Sequence, residues 1–283
     1  MEITINNQAA DIAPDNEKTV GEIMAGLEQW LANIGQRISG LAINSKLIPS
    51  SEFEEIFRKD VTSVNMLDIK TISLAELFLE SLLNLQADTE EFENLKFDEK
   101  REFLKIWEKR PHALFTLEQM PDIHNIFINL FSGEDMNAKF VSSVIEERLR
   151  EVKEPLPELN NLKPLLDEIC AKLANLALDI QTGKDAQAAK TIQVFSGLSE
   201  KMLRIIRQLD IQGILSQEAE EKEAFSGKIN EFGKLIKELL EAYEKHDTVL
   251  VGDLAEYEAS PKLQELYSVI MNNSRQAQQQ EVK

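Results

Sequence analysis

The chain has 283 residues, 43% of them apolar, and its 31 basic against 50 acidic side chains leave a formal net charge of −19. That field repels phosphate backbones and anionic headgroups, which excludes a nucleic-acid groove and points to a basic partner instead. The apolar content excludes a chain unable to bury a core, and having only 11 glycines and 8 prolines favours long helices over a loop-rich β protein.

The opening MEITINNQ has neither the basic nor the apolar region of a secretory signal. Ile3 and Ile5 alternate with Glu2, Thr4 and Asn6, the period of a half-buried strand. Asn6-Asn7-Gln8 is turn chemistry, because Asn tolerates left-handed φ, and Ile12 is placed on a weak return strand. Thr19-x-x-Glu22 forms a capping box. It opens an amphipathic helix with Val20, Ile23, Met24, Leu27, Trp30, Leu31 and Ile34 on one side, and Gly35 closes that helix. Leu41–Ile43 and Leu47–Ile48 bracket Asn44-Ser45-Lys46 as a hairpin-like pair. Ser50 or Ser51 then caps a short helix holding Phe53, Ile56 and Phe57, and Val64–Ile72 reads as a final strand.

This order of strand, turn, strand, helix, two short strands, short helix and strand resembles the ubiquitin-like β-grasp fold over residues 1–72. The resemblance lies in element order and lengths. It implies a docking module that acts through a protein surface; the plainer reading is a small α/β domain that packs on the rest. No Gly-Gly tail follows the last strand, which runs straight into a helix.

From Ser73 the period turns helical, with Leu74, Leu77, Phe78, Ser81, Leu82 and Leu85 in one stripe. Asp98 is expected to open a second helix, with Phe103, Ile106 and Trp107 inward and a stop before Pro111. The spacing makes Trp107 a core residue rather than a ligand platform. Residues 113–132, interrupted at Pro121, carry Leu114, Phe115, Leu117, Ile123, Ile126, Phe127, Leu130 and Phe131. His112 and His124 have no partner at metal-ligand spacing. Glu134 or Asp135 begins a further helix with Phe140, Val141, Val144, Ile145 and Leu149 inward. Glu154-Pro155-Leu156-Pro157 then reads as a linker, since each proline disfavours helix in itself and its predecessor. A middle helical region thus spans 73–154.

A helical bundle is expected over 158–273. Pro164 sits in a first turn, followed by an apolar face of Leu165, Leu166, Ile169, Cys170, Leu173, Leu176, Ala177 and Ile180. Cys170, the sole cysteine, reads as a small core residue; it permits no internal disulfide, which fits a reducing cytoplasm. Ala188, Ile192, Phe195, Ser199, Met202, Ile206 and Leu209 recur at alternating steps of four and three, as do Phe225, Ile229, Phe232, Ile236, Leu239 and Tyr243. That period belongs to helices packed nearly parallel or antiparallel. Residues 274–283 have no apolar face and are expected to be a disordered tail. No apolar run nears the roughly 20 residues of a membrane span. The expectation is an α+β, mostly α protein, cytoplasmic and not inserted in a membrane.

The hairpin TGKDAQAAKTIQVFSGLSEKMLRIIRQLD resembles the flagellin export chaperones in Gly183, Asp185, Ala189, Ile192 and Leu198. That resemblance covers about fifty residues and implies apolar surfaces that hold a partner's helix.

EKHDTVLVGDLAEYEASP, residues 244–261, concentrates polar groups: His246, Asp247, Asp253, Glu256 and Tyr257 are the candidate interaction or acidic site. Gly183-Lys184-Asp185 and Lys245-His246-Asp247 read as one device used twice, a cation at a helix C-terminus and an aspartate capping the next helix. Val249, Leu250, Leu254 and Tyr257 are expected to face inward, and Ser260-Pro261 to start a last helix. Glu241, His246 and Asp253 could in principle hold a divalent cation, but no Glu-x-x-His pair occurs. A helix corner with a solvated acidic face is the favoured reading, with no metal or cofactor. No phosphate loop, nucleophile elbow or zinc motif is present. The expected function is therefore a non-enzymatic adaptor or chaperone-like protein binding a basic or helical protein partner. The alternative is an enzyme using a carboxylate pair such as Asp253 and Glu256 in an interdomain cleft.

Overall fold

The computed structural model describes residues 1–10, 12, 17–133, 137–215 and 219–281. It is 75% helical, with one small mixed sheet at the N-terminus, hence α+β and mostly α. The chain divides into two compact units, Met1–Glu134 and Asp135–Lys283. Among the described residues no helix is long and apolar enough to cross a membrane.

The first unit begins with β1 (Glu2–Ile5), β2 (Gln8–Ala9), α1 (Val20–Asn33), β3 (Gln36–Ile43), β4 (Lys46–Ile48), α2 (Phe53–Phe57) and β5 (Met66–Ser73). The sheet order is β2-β1-β5-β3-β4, with β1 parallel to β5 and every other pair antiparallel. Both hairpins turn on two residues with positive φ, Asn6-Asn7 and Asn44-Ser45, the geometry that matches the right-handed twist of the strands they join. The Thr19–Glu22 capping box forms as expected. Val20, Ile23, Met24 and Leu27 of α1 share a core with Ile3, Leu41, Ile48, Leu67 and Ile69 of the sheet. Gly21 lets α1 lie against α2, since a Cβ there would stand 2.9 Å from the Phe57 carbonyl oxygen. Elsewhere in the sheet Thr4 donates to Asp68 at 2.5 Å, and this bond holds the Asp68 carboxyl below the usual range despite its burial.

Three expectations in this stretch need correction. Trp30 and Ile34 are exposed, because Trp30 lies at the edge of the stripe and Ile34 is the C-cap residue. Ile12 belongs to no strand but packs against the same core. Strand β3 starts at Gln36, well before Leu41.

Helices α3 (Leu74–Asn94), α4 (Phe97–Trp107), α5 (Pro111–Gln119) and α6 (Pro121–Ser132) complete the unit. Ser73 and Glu76 cap α3 reciprocally. Helix α4 begins one residue before Asp98, with the Glu99 carboxylate accepting from the Lys96 amide at 2.9 Å. Prolines start α5 and α6, where a missing N–H costs nothing. Trp107 is fully buried, stacked on Phe127 at 5.7 Å and packed edge-on against Phe131. Ile106, expected inward, is exposed, as are Leu114 and Leu117, because each sits about one residue step off its helix's buried side.

The second unit holds α7 (Ala138–Lys153), α8 (Pro155–Asn161), α9 (Lys163–Leu173), α10 (Leu176–Gln181), α11 (Asp185–Ile211), α12 (Ala219–Glu244), α13 (Thr248–Asp253) and α14 (Ser260–Glu281), with a π-helical turn over Leu254–Ala259. The expected start of α7 at Glu134 or Asp135 lies outside the described residues; Asn137 caps it, accepting from the Lys139 amide. Phe140 is exposed rather than inward. Glu154–Pro157 is not a linker. Pro155 is the buried first residue of α8, and first-turn amides need no intrahelical acceptor.

The heptad residues of α11 are all buried, and with Phe225, Phe232 and Leu239 of α12 and Leu263, Leu266 and Ile270 of α14 they form one core. Cys170 belongs to that core. Helix α14 begins at Ser260 as expected, but with no capping turn ahead of Ser260. The Ser260 N–H bonds to the Ala255 carbonyl five residues back, so α13, the π turn and α14 run on without a break. Pro261 crowds the carbonyl four residues before it, and the wider turn ahead of it absorbs the misfit. Helix α14 continues to Glu281, where a disordered tail from 274 was expected; the side chains from 275 onward lie outside the described residues.

Candidate functional site

Helices α10 and α12 end in the same way. The Gly183 N–H bonds to the Ile180 carbonyl at 3.1 Å, and the Lys184 N–H to the Asp179 carbonyl at 2.8 Å. The His246 N–H bonds to Tyr243 and the Asp247 N–H to Ala242, both at 3.0 Å. Each is a Schellman closure, which needs a left-handed residue just past the helix. Gly183 has φ +73° and His246 has φ +56°. The two corners therefore correspond residue for residue, Gly183 matching His246. The expected alignment was one residue out, since Lys184 matches Asp247 rather than His246. Asp247 caps α13, accepting from the Leu250 amide at 3.1 Å, whereas Asp185 makes no capping bond at the start of α11.

Between the corners lies a cavity of about 290 Å³ lined by Ile180, Asp185, Ala188, Tyr243, His246, Thr248 and Val251. The correspondence organises this wall. Ile180 and Tyr243 stand three residues before the left-handed position, Asp185 and Thr248 two after it, and Ala188 and Val251 five after it. Only His246 lines it without its counterpart, because Gly183 has no side chain. Ala188 and Val251 are buried, Ile180 and Tyr243 half-buried, and Asp185, His246 and Thr248 exposed. The cavity thus grades from an apolar floor to a polar mouth. Gly252 brings α13 against α10: a Cβ there would lie 2.7 Å from the Cβ of Ala177.

The candidate residues do not converge. His246 lines the cavity and Asp247 caps the helix beside it, while Asp253, Glu256 and Tyr257 are exposed and line no part of it. Tyr257 is 68% exposed, Val249 70% and Leu250 43%, against the inward placement expected of all three. The π turn resets the helical phase before Tyr257, and α13 lays only Val251, Gly252 and the following Leu254 inward. Among the described residues no three His, Cys, Asp or Glu side chains gather to hold a metal ion, Glu241, His246 and Asp253 included.

Two buried charge clusters were not foreseen. In the first unit Asp88 accepts from Trp107 Nε1 at 2.7 Å, hydrogen-bonds His112 Nε2 at 2.7 Å and pairs with Arg110, which also pairs with Glu91. These bonds tie α3 to α4 and α5. His124 is buried against Trp107, with Nδ1 3.1 Å from the Ala113 carbonyl. In the second unit the Arg204 guanidinium donates to both oxygens of buried Glu151, at 2.9 and 3.1 Å, and Arg148 donates at 3.3 Å. Lys201 bridges Glu147 and Glu158 beside them. Burial raises the Glu151 carboxyl to about 7 against the pull of the Arg148 cation. Asp88 stands 19 and 24 residues from Trp107 and His112, and Glu151 stands 53 from Arg204; Arg148, three residues before Glu151, is the local partner, so sequence spacing signals little of either cluster.

Residues 1–73 match the family model described as the TP0873 N-terminal domain, and residues 157–269 match a domain of unknown function, DUF8042. The chain is also similar to an uncharacterized protein of Treponema pallidum (strain Nichols). The two are 21% identical over 272 residues, which cover 96% of this chain and 97% of the relative. No solved structure matches the chain.

Proposed function

We propose that this chain is a non-enzymatic adaptor or chaperone-like protein of the cytoplasm that holds a protein partner, basic or helical, at the paired corners of its second unit. The observation that carries this reading is the corner cavity, with an apolar floor, a polar mouth and the exposed apolar side chains of Val249 and Leu250 next to Thr248. Exposed apolar groups beside a charged rim mark partner surfaces more often than reaction centres. The bundle's heptad seam is filled by its own helices, so a partner helix docks outside it. The N-terminal domain supplies a second docking face on this reading. Its strand order, with parallel β1 and β5 at the centre and α1 packed on the sheet, supports the ubiquitin-like β-grasp resemblance. The exposure of Asp253 and Glu256, away from the cavity, speaks against the carboxylate-pair enzyme.

The test is purification of the tagged full chain from its native host at low salt, with mass determination of whatever remains bound. A stoichiometric partner that dissociates as salt rises is expected. Recovery of the chain alone at low salt would overturn the reading.

A further inference from the structure

We infer that the corner cavity is the socket for an apolar anchor side chain of a basic amphipathic helix, with Asp185 pairing a lysine or arginine next to that anchor. The inference rests on the partner-binding reading above and names the chemistry of the contact.

The lining decides the class of occupant. Ala188 and Val251 are buried at the floor and Ile180 lies beside them, so the deepest group of an occupant must be apolar. The cavity, about 290 Å³, lies at the lower end of the range for small-ligand pockets, room for a large aliphatic side chain but not for a nucleotide. The mouth is polar and able to accept hydrogen bonds. Asp185, Thr248, Tyr243 and His246 converge there, and among the described residues none of their side chains has an ion pair or hydrogen bond within the protein. The lysines at the two corners are already engaged, Lys184 with Asp179 at 3.1 Å and Lys245 with Glu241 at 3.6 Å. Asp185 is thus the uncompensated charge at the rim, in a chain of net charge −19. An anionic occupant would face that carboxylate, whereas a cationic one is drawn to it.

A helix meets both demands at once, because residues three or four apart share one face. One turn can seat a leucine between α10 and α13 and lay a lysine against Asp185. Val249 and Leu250, exposed beside the mouth, offer apolar cover to the rest of that face. This mode needs only one side of the partner helix and leaves the filled seam of the bundle undisturbed.

The probe is a fluorescein-labelled amphipathic peptide of leucine and lysine, titrated against the full chain by anisotropy. Two control peptides accompany it, one with every leucine replaced by alanine and one with every lysine replaced by glutamate. The expected result is saturable binding that weakens about tenfold or more for the alanine peptide and is lost for the glutamate peptide. Thr248→Trp fills the mouth from an exposed position without touching the core, and it should weaken the leucine–lysine peptide about tenfold. Asp185→Asn should weaken it about threefold. Equal binding of the leucine and alanine peptides, or binding unchanged by Thr248→Trp, would overturn the socket and leave only diffuse charge attraction.

Failure of the two readings can be told apart. A native partner that binds Thr248→Trp as it binds the unmodified chain sinks the socket and keeps the adaptor. Peptide capture without any native partner sinks the adaptor alone.

Discussion

The second unit contains two polar regions of opposite character. Around Glu151 every charge is buried or half-buried and answered: Arg204 forks onto the carboxylate, Arg148 adds to it, and Lys201 joins Glu147 to Glu158. At the paired corners Asp185, Tyr243, His246 and Thr248 surround a cavity, and among the described residues their side chains have no intramolecular bond. Satisfied polar groups lock elements together, here α7 and α8 onto α11. Polar groups left open around an apolar floor are free to be satisfied by something else. The difference teaches where stability ends and interaction begins, and substitutions in the two regions should separate accordingly.

The largest effect is expected in the network. Glu151→Ala leaves a void and strips Arg204 of its forked partner, at a cost of about 3 kcal/mol in chemical denaturation, with peptide binding at the corners unchanged. A cost under about 1 kcal/mol would mean the network does not hold α7 in place.

The same carboxyl predicts a pH dependence. Its folded value is near 7 and its ordinary value 4.5. Between these the folded state binds the extra proton, so stability falls as pH rises through that window. The full shift corresponds to about 3 kcal/mol. Denaturation midpoints measured from pH 5 to pH 8 should show that decline, and Glu151→Gln should flatten it. Stability that rises over the same range in the unmodified chain, and is unaffected by Glu151→Gln, would contradict it.

At the corners the effects are smaller and of both signs. Gly252→Ala forces a methyl into Ala177 and should cost about 1–3 kcal/mol, whereas at the corresponding position on the other corner Ala189 already carries one. His246→Gly should stabilise by about 1 kcal/mol, because a side chain at positive φ is strained where glycine is not. Gly183→His should cost a similar amount for the same reason. If His246→Gly destabilises instead, the ring makes a native contact and the corner is not an open site.

Much of this architecture is legible in the residues themselves. Thr19–Glu22 and Ser73–Glu76 announce their helices, Asn6-Asn7 and Asn44-Ser45 their hairpins, and the steps of four and three from Ala188 to Leu209 their seam. All of these are local signals, read within a turn or two. The rest depends on distance or on phase. Asp88 and Glu151 look like wet-face acids until Arg110 and Arg204 arrive from other helices. The π turn moves Tyr257 outward by one extra residue, which a regular helical period cannot show. The stretch from Glu244 to Pro261 draws attention for its acids, yet the cavity takes only His246, Thr248 and Val251 from it and completes its wall 63 residues earlier.

The central claim is that partners dock at the paired corners, and the lysines there make it measurable. Lys184 and Lys245 flank the cavity and are accessible, with side chains 55% and 74% exposed. Amine cross-linking of the complex purified at low salt should join both to the partner and leave Lys201, inside the buried network, unlinked. A complex that forms with Lys184 and Lys245 uncross-linked, and with links concentrated on the lysines of the first unit, would contradict the account.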